Sequence, residues 1–211
     1  MAIVALFFAI SICSYLLGSF PSGYVAGRIA GIDVRKTGSG NIGATNVLRV
    51  LGKKHGYAVF FLDALKGLLA VQLAFAAARL TNANRQYADW LGIVAAVLCV
   101  LGHTFPVWLK FKGGKGVATS AGVMFGLAPV ATIVSVAVWF ITFEFTRYVS
   151  VASVTAAIAL PITIGILVKI HATEGVIIFY SAILLAAVVC WRHRSNFARL
   201  AKGTEQRFIR K

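Results

Sequence analysis

Acidic residues are scarce in this chain of 211 residues, which has only six against 21 lysines and arginines. Carboxylates this few and scattered form no acidic cluster of the kind that binds a divalent metal. The three cysteines, Cys13, Cys99 and Cys190, lie in apolar runs without a Cys-x-x-Cys pair or metal-site spacing. We therefore interpret them as small buried hydrophobic side chains, and we expect neither a disulfide nor a bound metal.

Three catalytic signatures are also missing. None of the four histidines is followed by an aspartate at the His-x-x-x-x-Asp spacing of one large acyltransferase superfamily, and no Gly-x-Ser-x-Gly sequence is present. The glycines around Lys115 do not make a Walker A loop, because its first glycine is absent and Gly116 stands where serine or threonine is needed. Covalent serine catalysis and nucleotide hydrolysis are therefore not indicated.

Charge as a whole is low, since only 13% of residues are charged and 59% are apolar, with a mean hydropathy of +0.85. Soluble domains have more charge and less apolar content, so this composition indicates an integral membrane protein. The apolar stretch at 2–18 lacks the basic start of a signal peptide. We expect it to be retained as the first membrane helix.

Apolar runs long enough to cross a membrane occur at 2–20, 58–80, 87–101, 117–145, 149–168 and 175–191. The loop 28–54 has six basic residues and one acid, and the tail from residue 192 has seven and one. The positive-inside rule places both in the cytoplasm. An unbroken segment 117–145 would leave the tail outside. We therefore predict that this segment breaks around Gly126 and Pro129, because proline removes a helical hydrogen bond.

The fold predicted in this way is an all-α integral membrane protein with seven transmembrane helices, N-terminus outside and C-terminus inside. Residues 1–211 are expected to form one polytopic domain, since no repeat, linker or low-complexity segment divides them. The two halves of the broken segment are short and need tilting or burial against neighbouring helices. All the polar loops described next then lie on the cytoplasmic side.

The first of three polar, glycine-rich and basic stretches occupies residues 37–49. Gly38 and Gly40 reach left-handed conformations without steric cost, so that neighbouring N–H groups can converge on an anion. The other polar side chains of the stretch are Ser39, Asn41, Thr45, Asn46 and Arg49. An ordinary turn explains Gly-Ser-Gly-Asn alone. The added donors and the arginine, which can bind a phosphate with two hydrogen bonds, favour phosphate binding.

The second stretch follows the third span, where His103-Thr104-Phe105-Pro106 leads to Lys112-Gly113-Gly114-Lys115-Gly116. Lysines interleaved with glycines predict a second phosphate site. The alternative is a positive-inside anchor with Trp108 among the lipid head groups. That alternative accounts for Lys110 and Lys112, but it does not account for Gly-Gly-Lys-Gly.

The third stretch, Arg192-His193-Arg194-Ser195-Asn196, begins the tail. On a helix His193 and Asn196 share a face, and the imidazole of His193 is suited to act as acid, base or phosphate ligand. A lone interfacial histidine is also often structural. Glu205 is expected to cap a helix or to pair with an arginine of a loop.

The remaining acids lie in or near the spans. Asp63 and Lys66 are one helical turn apart near the start of the second span, where ionisable residues are costly unless paired or facing a cavity. We interpret them as an intrahelical ion pair, with contact to the site as the alternative. Glu144 and Glu174 lie near span ends and are interpreted as interfacial.

Together these stretches closely resemble the bacterial acyl-phosphate:glycerol-3-phosphate acyltransferase family, PlsY. The resemblance rests on Ser-Gly-Asn-Ile-Gly-Ala-Thr-Asn with Arg49, on Gly-His-Thr-Phe-Pro through Lys-Gly-Gly-Lys-Gly, and on Arg-His-Arg-Ser-Asn through Gly-Thr-Glu. It runs from about residue 18 to residue 205 and implies a seven-helix enzyme of the bacterial inner membrane with a cytoplasmic active site.

The implied reaction moves a fatty acyl group from acyl phosphate to the 1-hydroxyl of sn-glycerol 3-phosphate, the first step of membrane phospholipid biosynthesis. Its products are lysophosphatidic acid and inorganic phosphate. The resemblance implies no cofactor and no metal. The partners it implies are glycerol 3-phosphate, acyl phosphate and the lipid bilayer, with no nucleic acid.

The resemblance also carries residue roles. The implied catalytic residues are Ser39, Arg49, Lys115, His193 and Asn196. The residues implied in binding the substrates' phosphates are Gly40, Asn41, Thr45, Asn46, Gly113, Gly114, Gly116 and Glu205. One position is less clear, because a second basic or imidazole group is expected near 200–202 and only Lys202 is there.

Acyl phosphate is an activated anhydride, so the expected catalysis is mainly positioning and charge stabilisation. Arg49, Lys115 and the backbone at 39–41 are expected to hold the phosphates, and Asn196 or backbone N–H groups to steady the oxyanion. Either His193 or a substrate phosphate takes the proton. The rival functions are a transporter of an organic phosphate, which would need charged groups at mid-membrane, and a structural scaffold.

Overall fold

A computed structural model describes residues 2–172 and 175–208, and all regular structure within these ranges is helical. The chain divides into two compact units, Met1–Leu127 and Ala128–Lys211. The interfacial position expected for Glu174 lies outside the described residues.

The first unit contains six α-helices and one 3₁₀ turn in its described part. These are α1 (Ala2–Ser19), α2 (Ser22–Ile29), α3 (Ala44–Leu51), α4 (Lys53–Leu80), α5 (Arg85–Thr104), the 3₁₀ turn Val107–Leu109 and α6 (Val117–Leu127). Gly52 separates α3 from α4 with a φ of 86°, which a glycine adopts without strain. Helix α4 begins before the apolar run at 58, because helical hydrogen bonds continue through polar residues at its start.

Glycines allow the helices of the first unit to approach closely. A Cβ on Gly18 of α1 would overlap the Cys99 carbonyl of α5, and one on Gly102 of α5 would overlap the Tyr15 carbonyl of α1. Gly67 of α4 and Gly122 of α6 make the same kind of approach at their interface. Small residues at such crossings are typical of membrane helices, where packing rather than the hydrophobic effect holds helices together.

The second unit contains four helices in its described part: α7 (Pro129–Thr146), α8 (Val149–Lys169), α9 (Val176–Arg192) and α10 (Arg194–Ala201). Helix α8 packs against both α7 and α9. The indole N–H of Trp139 on α7 donates to Ser153 Oγ on α8 at 3.2 Å. Helices α9 and α10 meet at His193 with a bend of 48°.

The predicted break in the segment 117–145 is confirmed. Helix α6 ends at Leu127, and α7 begins with Pro129 at its first position. A proline is favourable there because the N–H it lacks would have no helical partner. The same proline within a continuous helix would have removed a hydrogen bond and clashed with the preceding turn.

Five helices of the described chain are long and apolar enough to cross a membrane, or six if the bent pair α9 and α10 is one span. Helix α6 is apolar but has only 11 residues, fewer than the roughly 20 that span a bilayer. Seven crossings, and the orientation of the chain, therefore stay predictions.

The predicted burial of all three cysteines is wrong for one of them. Cys99 is buried and Cys190 is partly buried, but Cys13 is exposed on α1. In a membrane protein the face of a helix that contacts lipid is as apolar as the face that contacts protein. Apolar neighbours in the sequence therefore do not predict burial.

Candidate active site

The first polar stretch forms the tight turn that its glycines predict. Gly38 and Gly40 have φ values of 62° and 71°, and the Gly40 N–H donates to the Thr37 carbonyl at 3.1 Å. Before the turn, Arg35 binds the Asp33 carboxylate and lies over the Tyr24 ring of α2. The hydrogen bond from Arg35 lowers the pKa of Asp33 to about 2, so this ion pair persists at any physiological pH.

Asn46 in α3 organises the turn. Its side chain is 1% exposed, and its Oδ1 accepts the Ser39 N–H at 2.8 Å. Its Nδ2 donates to the carbonyls of Val34, Thr37 and Asn41 at 3.0, 3.1 and 2.8 Å. Both ends of the amide are thus used inside the protein. Asn46 therefore holds the loop in shape, and the role expected for it in binding a substrate phosphate stays a prediction.

The backbone of the turn is also largely engaged. The N–H groups of Ser39 and Gly40 donate within the loop, and the Gly43 N–H donates to Asn41 Oδ1 at 2.7 Å. The N–H groups of Ser39 and Gly40 thus have partners within the protein, and anion binding by the 39–41 backbone stays a prediction. Ser39 is exposed, while Asn41, Thr45 and Arg49 are half-buried.

The second polar stretch folds back on the end of α5. Lys110 and Phe111 adopt left-handed conformations, with φ values of 51° and 60°, and reverse the chain after the 3₁₀ turn. The Gly113 N–H then donates to the Thr104 carbonyl and the Gly114 N–H to the His103 carbonyl, each at 3.1 Å. The two carbonyls are among those that a helix end leaves without helical partners.

The glycines of this loop are needed for close approach. A Cβ on Gly113 would overlap the His103 carbonyl, and one on Gly114 would overlap His103 Nε2. Their N–H groups bind the end of α5, and the phosphate cradle expected here stays a prediction. Lys115 is half-buried and lies between buried Gly114 and Gly116, the latter with a φ of 80°. Lys115 therefore belongs to a segment whose backbone is held in place by hydrogen bonds to the end of α5.

A buried polar cluster lies at the interface of α2, α4 and α5. The predicted ion pair is confirmed, with Lys66 Nζ at 2.8 Å from Asp63 Oδ1. The same oxygen accepts a hydrogen bond from Ser22 Oγ at 2.8 Å and lies 3.6 Å from His103 Nδ1. We refer to Ser22, Asp63, Lys66 and His103 as the Asp63 cluster. Sequence analysis missed its connection to Ser22 and His103.

The third stretch places His193 at the junction of α9 and α10. Its ring is buried, and Nδ1 lies 2.8 Å from the Val189 carbonyl. A carbonyl only accepts, so Nδ1 carries the proton and Nε2 is the basic nitrogen of the neutral ring. The Asn196 N–H donates to the His193 carbonyl at 2.8 Å, which keeps the two residues adjacent in the first turn of α10.

Glu205 anchors the tail within the second unit. Its carboxylate accepts hydrogen bonds from Asn196 Nδ2 at 2.6 Å, Ser150 Oγ at 2.9 Å and Arg199 Nε at 2.8 Å. Burial alone would raise the pKa of Glu205, but these hydrogen bonds and the charge of Arg199 outweigh burial and lower it. The expected pairing with an arginine is found, but the partner, Arg199, lies in helix α10 and not in a loop. A carboxylate held in this way orients Asn196, and its charge disfavours direct contact with a phosphate.

The predicted site residues thus fall into two groups. Ser39, Arg49 and Lys115 belong to the first unit, and His193, Asn196 and Glu205 belong to the second. Sequence analysis did not single out Ser150 or Arg199 as partners of Glu205, because the first is far away in the sequence and the second is one of many arginines.

Comparison with known proteins agrees with the resemblance. A family model described as glycerol-3-phosphate acyltransferase matches residues 8–203, which include all three polar stretches and stop just before Glu205. A glycerol-3-phosphate acyltransferase of Synechococcus elongatus is 45% identical over 200 residues, covering 94% of this chain and 93% of the relative. That of Aquifex aeolicus is 43% identical over 197 residues, covering 93% and 96%.

Two crystal structures of PlsY (YgiH), an integral membrane glycerol 3-phosphate acyltransferase, have similar folds. The glycerol 3-phosphate form has a TM-score of 0.85 and 41% identity, with 96% of each chain covered. The lysophosphatidic acid form has a TM-score of 0.83 and 40% identity, with 96% of this chain and 95% of that chain covered. With its apolar helices, this chain is a multi-pass membrane protein.

We predict that Asn46→Asp destabilises the first stretch. Aspartate has the same shape as asparagine but no N–H donors, so the carboxylate oxygen in place of Nδ2 would face the carbonyls of Val34, Thr37 and Asn41. Leaving such groups unsatisfied costs about 1–3 kcal/mol each, and we expect a clearly lower melting temperature in detergent. Asn82→Asp, at an exposed residue, is the matched control and is expected to melt like the wild type. Equal melting of both variants would contradict the role assigned to Asn46.

We predict that Glu205→Gln lowers stability at neutral pH and that the difference disappears in acid. Because the pKa of Glu205 is below its ordinary 4.5 in the folded protein, its contribution is present above that value. It is lost as the pH falls through the lowered pKa. The measurement compares melting temperatures of wild type and variant from pH 7 to pH 3. Glu144→Gln, at an exposed carboxylate, is the control; a pH-independent difference for Glu205→Gln would refute the prediction.

Proposed function

Because this chain belongs to the glycerol-3-phosphate acyltransferase family, we propose that it transfers a fatty acyl group from acyl phosphate to the 1-hydroxyl of sn-glycerol 3-phosphate. The hydroxyl oxygen attacks the acyl carbonyl, the bond from that carbonyl to the phosphate oxygen breaks, and inorganic phosphate leaves. The hydroxyl proton passes to an acceptor, and lysophosphatidic acid is the other product. We also propose that this is the first step of phospholipid synthesis in a bacterial inner membrane.

The observation that carries the proposal is the loop around Lys115, whose backbone is hydrogen-bonded to the end of α5. The loop is bonded to the end of α5 through Gly113 and Gly114, so its cation is held by a fixed backbone. A fixed cation stabilises negative charge without having to reorganise as the reaction proceeds. Both substrates carry phosphate, and we assign Lys115 and Arg49 to hold those phosphates.

The other roles follow from the chemistry of the side chains. Ser39, Asn41 and Thr45 supply donors beside Arg49, and Gly40 and Gly116 supply the turns that shape the two loops. Asn196 donates toward the developing oxyanion, and Glu205 orients Asn196. The acyl phosphate is already activated, so this set works by positioning and electrostatics and needs no cofactor.

Two acceptors for the proton are compatible with these roles. His193 has Nε2 as its basic nitrogen, because Nδ1 donates to the Val189 carbonyl. A substrate phosphate is the other acceptor, since its second pKa is about 6. The choice between them is open to a direct kinetic test.

We further propose one functional domain with seven crossings, the N-terminus outside and the C-terminus inside, and an active site facing the cytoplasm. The basic loop 28–54 and the basic tail support this orientation through the positive-inside rule. The seventh crossing would be the short helix α6. A transporter of organic phosphates is the competing function, and membership in an acyltransferase family favours the enzyme over it.

We predict that the purified protein releases phosphate from palmitoyl phosphate only when glycerol 3-phosphate is present, and forms lysophosphatidic acid in equal amount. Lys115→Met is expected to lower kcat/KM about 100-fold or more, since it removes a charge held at the transition state. Lys112→Met is the matched control, because Lys112 is an exposed lysine of the same loop.

Activity with acyl coenzyme A but not with acyl phosphate would refute the proposed donor. Equal losses in Lys115→Met and Lys112→Met would refute the specific role of Lys115. A folded protein without either activity would favour the transporter, and uptake of glycerol 3-phosphate into proteoliposomes would then be measured.

We predict that His193→Ala lowers kcat by about 10²–10⁴-fold if His193 is the general base. His55→Ala is the matched control, because His55 Nδ1 makes the same type of contact with a carbonyl four residues earlier, that of Leu51 at 3.1 Å. A loss of less than about tenfold for His193→Ala, with normal melting, would assign the proton to a substrate phosphate.

A further inference from the structure

The Asp63 cluster is costly for the fold and has no role in the reaction as described so far. Asp63, Lys66 and His103 are only 3–5% exposed, and Ser22 is 2% exposed. Taking two charges out of water is expensive, and a buried pair is often no more stabilising than apolar side chains of similar size. Stability alone therefore does not explain why charges lie at this position.

Three of the contacts converge on a single oxygen. Asp63 Oδ1 accepts hydrogen bonds from Ser22 and Lys66 and faces His103 Nδ1 at 3.6 Å. Lys66 Nζ also donates to the Phe20 carbonyl at 2.8 Å, at the break between α1 and α2. The carboxylate is thus held by α2 and α4 while it faces a ring on α5.

His103 connects this carboxylate to the loop of Lys115. Its Nδ1 faces Asp63, whereas the opposite edge of the ring, Nε2, lies against Gly114 so closely that no Cβ fits there. The His103 carbonyl accepts the Gly114 N–H at 3.1 Å. The orientation of the ring therefore determines where Gly114 lies, and Lys115 is the next residue.

The cluster also connects to the first polar stretch. Ser22 is followed by Gly23, whose position for a Cβ is occupied by the Ile42 carbonyl, between the turn at Gly40 and helix α3. Helix α2 thus contacts Asp63 through Ser22, and through Gly23 it contacts the loop of Ser39, which leads into helix α3 with Arg49. All of these residues belong to the first unit.

We propose that Asp63 is a positioning residue that fixes His103, and through His103 the 113–116 loop, so that Lys115 is held where it binds phosphate. The importance of this position rests on the proposed acyl transfer. Whether Asp63 holds the loop in place through His103 does not depend on that reaction. Amide hydrogen exchange of the loop measures it without any activity.

The simpler explanation is that Asp63 serves only to neutralise Lys66. Removing one partner of a buried ion pair leaves an uncompensated charge, but removing both is often harmless to stability. The double variant Asp63→Asn with Lys66→Met therefore separates the two explanations. If neutralisation is the whole role, the double variant recovers both stability and activity. If Asp63 positions His103, the double variant recovers stability but not activity.

The experiment compares Asp63→Asn, Lys66→Met and the double variant in lipid nanodiscs. The expected result is that Asp63→Asn melts below the wild type and the double variant melts near it. In the double variant we expect the KM for glycerol 3-phosphate to rise about tenfold or more, because small displacements of binding groups are costly. Amide hydrogen exchange of residues 105–116 is expected to be faster than in the wild type. The double variant Glu144→Gln with Arg147→Met, at a pair with the same spacing that lies nearer the surface, is the control.

A double variant with wild-type KM and wild-type exchange at 105–116 would overturn the positioning role. If the double variant does not fold, Ser22→Ala, which removes one donor to Asp63 and keeps the ion pair, replaces it. Unchanged KM and exchange in Ser22→Ala would then overturn the proposal. If the wild type does not acylate glycerol 3-phosphate, the proposed function fails, and the exchange measurement still decides the positioning role.

Discussion

Polar groups that a membrane protein removes from water must be satisfied by the protein itself, and this constraint explains how the two glycine-rich loops of the first unit are built. Asn46 uses its whole side-chain amide to hold the backbone around Ser39 and Gly40. The carbonyls at the end of α5 are satisfied by the N–H groups of Gly113 and Gly114. The loops are ordered by these internal bonds before any substrate arrives.

This order changes the meaning of the glycines. In both loops the glycines permit turns or close contacts. The N–H groups of Gly40, Gly113 and Gly114 donate to carbonyls of the protein itself. The anion binding that we propose for Arg49 and Lys115 would then depend on side chains carried by a backbone that is already held in place. Such preorganisation suits the acyl transfer that we propose, in which an activated donor and a second anionic substrate have to be held against each other.

The two units use ionisable groups in a similar manner. In the first, Asp63 is surrounded by Ser22, Lys66 and His103; in the second, Glu205 is surrounded by Ser150, Asn196 and Arg199. In each case a carboxylate is held by donors from different parts of its unit. Asp63 contacts His103 of the second polar stretch, and Glu205 contacts Asn196 of the third. A carboxylate is an effective organiser because it accepts several hydrogen bonds at once. Neither carboxylate is well suited to bind phosphate, because both would repel it.

Much of the membrane character and the choice of candidate residues was predictable from the sequence. Apolar runs indicate helices because each span has to satisfy its own backbone, and Pro129 indicates a break because it cannot continue a helix. The pair Asp63 and Lys66 was predictable from its spacing on one helix. The exposure of Cys13 was not predictable, because lipid-facing and protein-facing residues are equally apolar.

The sequence by itself determined the class of protein, the break at Pro129, the left-handed turns at Gly38 and Gly40 and the set of cationic candidates, because these depend on local chemistry. Only the tertiary structure decided that the amide of Asn46 on α3 binds the backbone of the preceding loop, that His103 lies between Asp63 and Gly114, and that Glu205 holds Asn196. These contacts join residues that are distant in the chain or belong to different helices. Helix packing brings such residues together, and no local pattern of residues records it.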